Sequence, residues 1–194
     1  TAAQWAGQGT SLYLKSGQKV RVRELLLGVT TVSANDASVT LAEAALGSTA
    51  AWTARMNQRA ASLGMRGSAF DTPNGWPDGG KTYVTARDMV RLARALIHEH
   101  PQLYRRYFGH RAMDWQGQRF PNHDPFAGVV AGADGIKTGH TREAGYNFLG
   151  AVERDGRRGI AALSGLPTDK ARLAALKDLV EGAWDAFTLN RLFD

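Results

Sequence analysis

The sequence predicts an α+β chain, close in pattern to α/β, with one sheet covered by helices. Three observations lead there. The middle of the chain carries helical spacing of apolar residues. An alternating pair of segments, Gly145 to Arg154 and Arg158 to Ser164, follows and turns on Asp155-Gly156. A last helical segment then begins after Thr168. Helices first, then a hairpin and a helix, is the order of a sheet packed against helices rather than of strictly alternating βαβ units.

Ser11 to Leu14 and Val20 to Val22 alternate around Lys15-Ser-Gly-Gln18 and predict a hairpin. Val22 to Val32 predicts a helix, with Leu25, Leu26 and Val29 on one face. Asp36 to Leu46 is alanine-rich and predicts a second. Ser48 suits the N-cap of a third, Thr49 to Leu63, which Gly64 ends. Trp52, Met56 and Leu63 of that helix fall at core spacing. Asp71 to Gly80 is rich in turn residues and predicts a long loop. Thr85 caps the helix Ala86 to His98, and Pro101 stands soon after its end. Met113 to Phe120 alternates around Gln116-Gly117, a second hairpin, and Phe126 to Gly135 is a flexible glycine-containing loop. Asp155-Gly156 between apolar runs is a strong local hairpin signal. Thr168 caps a final helix reaching Phe187, with Leu173, Leu176, Leu179 and Val180 at helical spacing.

With 194 residues, the chain is long enough for one domain with a full core. Its 43% apolar and 22% charged residues are ordinary for a globular protein. No apolar run approaches the length that spans a bilayer, and Thr1 to Trp5 lacks the pattern of a signal peptide, which a mature chain would have lost. There is no cysteine, which excludes disulfides and thiolate metal sites and leaves the compartment open. The net charge of +6 comes from scattered residues, with short pairs at Arg105-Arg106 and Arg157-Arg158. No nucleic-acid module accompanies it, so no nucleic-acid partner is expected, although a basic face can attract an anionic polymer. His98 and His100 close a helix, His110 and His123 lie in loops, and none forms a metal-ligand pattern.

The chemistry concentrates in two short stretches. Lys137-Thr138-Gly139-His140 lies within Asp134-Gly-Ile-Lys-Thr-Gly-His-Thr141, and Ser33-Ala34-Asn35-Asp36 precedes it at a distance. Ser-x-Asn followed by Lys-Thr-Gly is two thirds of the pattern of serine enzymes that react with penicillin. An ammonium beside a small hydroxyl, Lys137 and Thr138, suits a substrate carboxylate and a developing negative charge. Gly139 lets a substrate backbone lie close to a strand edge. Ser33 supplies a hydroxyl for proton relay, and Asn35 an amide that orients substrate or a catalytic lysine. Each stretch also has a plain reading. Lys137 to Gly139 can be an exposed turn, and Ser33 or Asn35 can be a helix N-cap. The third element, Ser-x-x-Lys, must sit on a helix so that the lysine one turn on faces the serine. Ser16-Gly-Gln-Lys19 matches in letters only, because Gly17 falls in a turn and a strand follows.

Taken together, these segments resemble the low-molecular-mass penicillin-binding proteins, specifically the D-alanyl-D-alanine carboxypeptidases that trim peptidoglycan stem peptides. The similar stretches run in the family's order: Leu14-Lys-Ser-Gly-Gln-Lys-Val20, Ser33-Ala-Asn-Asp-Ala37, Met56-Asn57 to Leu63-Gly64, and Phe70-Asp-Thr-Pro-Asn-Gly75. They continue with Thr85-Ala-Arg-Asp-Met89, Asp134 to Thr141 and Ala144-Gly-Tyr-Asn147. The resemblance implies a transpeptidase-like domain, a mainly antiparallel sheet with a helical subdomain and the active site between them. It implies a serine acylated with loss of D-Ala and deacylated by water, without metal or organic cofactor. By position, Ser33 and Asn35 form the Ser-x-Asn element, and Lys137, Thr138 and Gly139 form the strand lining the cleft, followed by His140. Arg172 matches the family's arginine for the substrate's terminal carboxylate, a role that suits a planar guanidinium.

Three departures accompany the resemblance. The nucleophile helix and first sheet strands are expected before Thr1, so that residues 1–194 form the C-terminal majority of one catalytic domain. The family's β-rich domain and membrane-anchoring helix are expected after Asp194, and Asn122-His123-Asp124 stands where Asn-x-Asn is frequent. The chain is then part of a longer polypeptide, or a cleaved enzyme completed by a companion fragment carrying Ser-x-x-Lys. Otherwise it is a shortened chain, or a relative that binds muropeptides without turnover. The expected partners are stem peptides and β-lactams, and the expected place is the bacterial periplasm. A D,D-endopeptidase is the neighbouring alternative. A class A β-lactamase is disfavoured, because Glu43 and Glu99, the only glutamates between the two motifs, fall in predicted helices rather than on a loop.

Overall fold

The computed structural model describes residues 2–5 and 7–189. A short 3-10 turn, Ala2–Trp5, leads to helices α1 (Val22–Val32), α2 (Asn35–Leu46), α3 (Thr49–Ser62), α4 (Ala86–Glu99) and α5 (Pro101–Tyr107). The hairpin β1 (Ala112–Trp115) and β2 (Gln118–Pro121) follows. Then come β3 (Ala133–Thr141), β4 (Gly145–Arg154), β5 (Arg157–Leu166) and α6 (Asp169–Leu189). The result is the α+β arrangement expected from the residues.

The caps read from the sequence are made. Ser48 accepts from the Ala51 N–H at 3.1 Å, Thr85 from Asp88 at 3.2 Å, and Thr168 from Ala171 at 3.1 Å. Each satisfies an N–H that the first helical turn leaves unpaired. Asp155 and Gly156 both take positive φ, 50° and 72°, as the tight turn between β4 and β5 requires.

The three long strands form an antiparallel sheet in the order β3-β4-β5, with Lys137 opposite Leu149 and Thr138 opposite Phe148. Helix α6 covers one face through Phe126, Phe148, Val152, Leu176 and Val180. Helices α4 and α5 cover the other through Ala93, Tyr104, Ile136 and Ala151. A separate core of Leu12, Leu14, Leu25, Val32, Met113 and Trp115 holds α1, α2 and the β1–β2 hairpin together. Trp52, Met56 and Leu63 are half-buried on α3 rather than central.

Three expectations are corrected. Ser11 to Val22 forms the turn but no strand ladder. The N–H groups of Leu12 and Leu14 donate instead to the Asp36 carboxylate, at 2.9 and 3.0 Å, and Val22 already begins α1. Pro101 does not merely follow a helix. It opens α5, where its missing N–H costs nothing. The loop expected through Gly135 becomes strand from Ala133, anchored by the Tyr104 hydroxyl, which donates to the Asp134 carbonyl at 3.1 Å and carboxylate at 3.0 Å.

Candidate active site

The site forms where α1 hands over to α2. Ser33 ends α1 in the left-handed region, at φ 62° and ψ 38°, and the Ala34 N–H closes the turn on the Gly28 carbonyl at 3.0 Å. A non-glycine residue there stores strain that the surroundings must hold. Asp36 does much of the holding. Fully buried, it accepts from the backbone of Leu12, Leu14 and Ala37, tying the segment before α1 to the start of α2.

The N-cap reading of Ser33 and Asn35 is corrected here. Ala34 is the N-cap of α2 and makes no side-chain cap bond, so neither polar side chain is spent on capping. Asn35 instead donates both amide protons outward, to the carbonyls of Gln8 and Thr10 at 3.2 Å each, and accepts from the Asn74 amide at 3.1 Å.

Ser33, Asn35, Ser38, Asn74 and Lys137 line one depression of about 130 Å³. Two motifs far apart in sequence thus converge across the junction between the helices and the sheet. Lys137 comes from β3, which pairs with β4 alone among the described strands and so offers its other edge to the cleft. The Lys137 ammonium donates to the Thr138 carbonyl at 2.5 Å. Burial, then the Arg172 charge, pulls its pKa down to about 8, while Asp124 pulls the other way.

Gly139 is fully open. A Cβ built on it meets nothing, and its backbone does not take positive φ. Nothing within the described residues demands glycine there, and the strand edge at Gly139 is open. Thr138 is buried in the strand beside it. His140 lies further along β3 and lines a second depression, of about 450 Å³, with Tyr146, their rings 4.0 Å apart.

Arg172 sits on the buried side of α6 rather than in the Ser33 depression. It donates to the Asn147 carbonyl at 3.3 Å, lies 5.6 Å over the Tyr146 ring and pairs with Asp169. His123 and Asp124 are the titratable neighbours that feel the charges of Lys137 and Arg172. Burial, then Lys137 and Arg172, pulls the His123 pKa down. Burial pushes the Asp124 carboxyl up, against the Phe126 N–H and the two cations.

Ser16 to Lys19 lies in a turn with Gly17 at φ 74°, so its lysine cannot face its serine from a helix. Glu43 and Glu99 lie in α2 and α4, as expected. Among the described residues, no group of three His, Cys, Asp or Glu is placed to hold a metal ion. Asn74 escaped the sequence reading as a site residue. Its one signal is its place in the turn-rich stretch Phe70 to Gly75.

Residues 1–168 match the family model described as D-alanyl-D-alanine carboxypeptidase. The chain belongs to that family. It is 36% identical over 188 residues to the D-alanyl-D-alanine carboxypeptidase DacA of Escherichia coli, covering 95% of this chain and 46% of the relative. It therefore spans about half the length of the curated relatives it matches. The crystal structure of the carboxypeptidase DacD from Francisella tularensis superposes with a TM-score of 0.85 at 30% identity, over 92% of this chain and 55% of that one. A penicillin-binding protein from Listeria monocytogenes, solved with ampicillin bound, gives 0.80 at 32% identity, over 89% and 71%. The penicillin-binding fold expected from the motifs is thereby shown.

Proposed function

We propose that this chain supplies the Ser-x-Asn and Lys-Thr-Gly walls of a serine-type D-Ala-D-Ala carboxypeptidase acting on peptidoglycan stem peptides. The observation that carries the reading is the convergence of Ser33, Asn35 and Lys137 on one depression beside the free edge of β3. The attacking serine and its lysine come from residues outside these 194, and residues 1–194 are the larger part of one catalytic domain. The turn conformation of Ser16 to Lys19 supports the first point.

In the cleft, the substrate backbone lies along β3, where Gly139 leaves room. The terminal carboxylate meets the Lys137 ammonium and the Thr138 hydroxyl, with His140 beyond them and Arg172 adding positive charge from α6. The serine gives its hydroxyl proton to the paired lysine, and its oxygen attacks the carbonyl of the penultimate D-Ala, forming an ester as the peptide bond to the last D-Ala breaks. Ser33 passes a proton to the departing amine, which leaves as free D-Ala. Water then cleaves the ester and restores the serine. Asn35 orients the acyl chain or the catalytic lysine. A β-lactam enters the same path: its amide bond breaks as the ester forms, but the expelled nitrogen stays tethered to the acyl group, and the reaction stops at the ester. Peptidoglycan as the substrate supports a periplasmic location.

The test is the intact mass of the full-length protein before and after benzylpenicillin, with release of D-Ala from a peptide ending in D-Ala-D-Ala. One covalent adduct per protein and D-Ala release are expected. Neither adduct nor release, with stem peptides still bound, would replace this reading with a non-catalytic peptidoglycan-binding domain.

A further inference from the structure

We propose that the outer face of α4 is a second, non-catalytic contact for peptidoglycan. A row of cations there holds carboxylates of the polymer while the cleft works on one stem peptide. The inference rests on the reading of peptidoglycan as the substrate, and it concerns charge that the catalytic site does not use.

The basic residues are scattered along the sequence, and the fold gathers them. Residues 49–107, the α3 to α5 part, hold nine Lys or Arg against four Asp or Glu, which is five of the chain's six net positive charges. Three of those acids each hold one cation: Asp71 pairs with Lys81, Asp88 with Arg91 and Glu99 with Arg59. Arg87 and Arg94 of α4 have no ion pair among the described residues.

On α4, Arg87, Arg91, Arg94 and His98 recur at intervals of four, three and four residues. At 3.6 residues per turn they fall within an arc of about 60° and form one row about 16 Å long. All four are exposed, and none lines the depression of Ser33 and Lys137. The other side of the helix carries Ala93, Leu96 and Ile97 into the core against the sheet. Helix stability does not account for the row. Arg87 stands in the first turn, where the helix dipole disfavours a cation, and like charges three or four residues apart repel. An anionic partner relieves both costs.

A row one side chain wide suits an extended polyanion. Peptidoglycan is one, because every stem peptide ending in D-Ala brings a terminal carboxylate, and a guanidinium takes a carboxylate through paired N–H bonds. An anionic bilayer is the rival, since Tyr83 and Val84 are exposed just before the first turn. The row itself carries no apolar side chain to enter a bilayer.

The experiment sediments the full-length protein, its cleft first blocked with benzylpenicillin, with purified insoluble peptidoglycan over a range of salt. It compares wild type with Arg87→Gln/Arg94→Gln and Arg87→Glu/Arg94→Glu, leaving Arg91 in place because it holds the buried Asp88. Melting temperature and D-Ala release by the unblocked proteins from a soluble peptide ending in D-Ala-D-Ala are measured alongside. Wild-type binding should weaken as salt rises. The glutamine pair should raise the apparent Kd for peptidoglycan about fivefold, the scale of two exposed charge contacts, and the glutamate pair should raise it further. D-Ala release from the soluble peptide should not change. If the glutamate pair does not fold, the glutamine pair carries the test. Unchanged binding by a folded variant, or an equal loss with the soluble peptide, would overturn the inference. So would variants that lose binding to phosphatidylglycerol vesicles and keep it to peptidoglycan, which would assign the row to a membrane. A wild type that binds peptidoglycan through the row yet takes no penicillin would sink the catalytic reading and leave this contact standing.

Discussion

Lys137 of β3 and Ser33 at the end of α1 line the same depression. One belongs to the sheet and the other to the helices, so the depression exists only because the two parts pack together. The neighbours of these residues determine how the site should respond to pH and substitution.

The charge of Lys137 is expected to vanish within the working range of the protein. Burial and Arg172 hold its pKa at about 8, well below that of a free lysine. Acylation by benzylpenicillin should therefore decline as pH rises through about 8. Between about 8 and the unfolded value of roughly 10.4, the unfolded chain binds more protons, so this group favours folding increasingly as pH rises through that window. Below it, the buried charge costs stability. Lys137→Met, which keeps the apolar stem, should melt higher than wild type at pH 7, and the gap should shrink toward pH 10. A variant that melts lower at pH 7 would contradict this.

Asp124 should tune that limb. It is buried, its Oδ1 accepts from the Phe126 N–H at 2.8 Å, and its Oδ2 has no hydrogen-bond partner among the described residues. Its negative charge supports the Lys137 ammonium. Asp124→Asn should move the alkaline loss of acylation to lower pH. The carboxyl's own pKa is raised, so its contribution to folding is present at acid pH and lost as pH rises through the folded value. At pH 7 the asparagine variant should melt no lower than wild type. An unmoved pH profile would separate Asp124 from Lys137.

Asp36→Ala should be among the most damaging single changes outside the sheet core. It leaves the N–H groups of Leu12, Leu14 and Ala37 without their acceptor in a buried setting. About 3 kcal/mol of unfolding free energy should be lost, the scale for bonds to a charged group and the donors stranded behind it. Denaturant unfolding measures it, and a loss below about 1 kcal/mol would show that water or relaxation replaces the carboxylate.

Arg172→Lys tests the carboxylate role of Arg172. The guanidinium makes contacts to Asn147, Tyr146 and Asp169 that a single ammonium cannot reproduce together. KM for a peptide ending in D-Ala-D-Ala should rise roughly tenfold, with a smaller change in kcat. An unchanged KM would assign Arg172 to holding α6 against β4.

The sequence was readable where a decision is local and opaque where it is tertiary. Ser48, Thr85 and Thr168 cap their helices from within the next turn, and Asp155-Gly156 makes its own reversal. The ladder expected at Ser11 to Val22 loses to Asp36, whose carboxylate outbids a partner strand for the Leu12 and Leu14 N–H groups. Pro101 reads as a stop from one side and as a start from the other, and α5 exists because Tyr104 packs beneath β3. At the site, the order of Ser33, Asn35 and Lys137 along the chain pointed to their meeting. Asn74 could not be found that way, because a turn-rich stretch does not say which side chain the folded loop will bring to Asn35.

Timing the benzylpenicillin adduct by intact mass, in the full-length protein and its Lys137→Ala variant, tests whether Lys137 belongs to a penicillin-reactive cleft. The wild type should form an adduct, and the variant should acylate at least about a hundredfold more slowly, the usual scale for removing one preorganised charge-stabilising group. Equal rates in a folded variant would contradict that assignment.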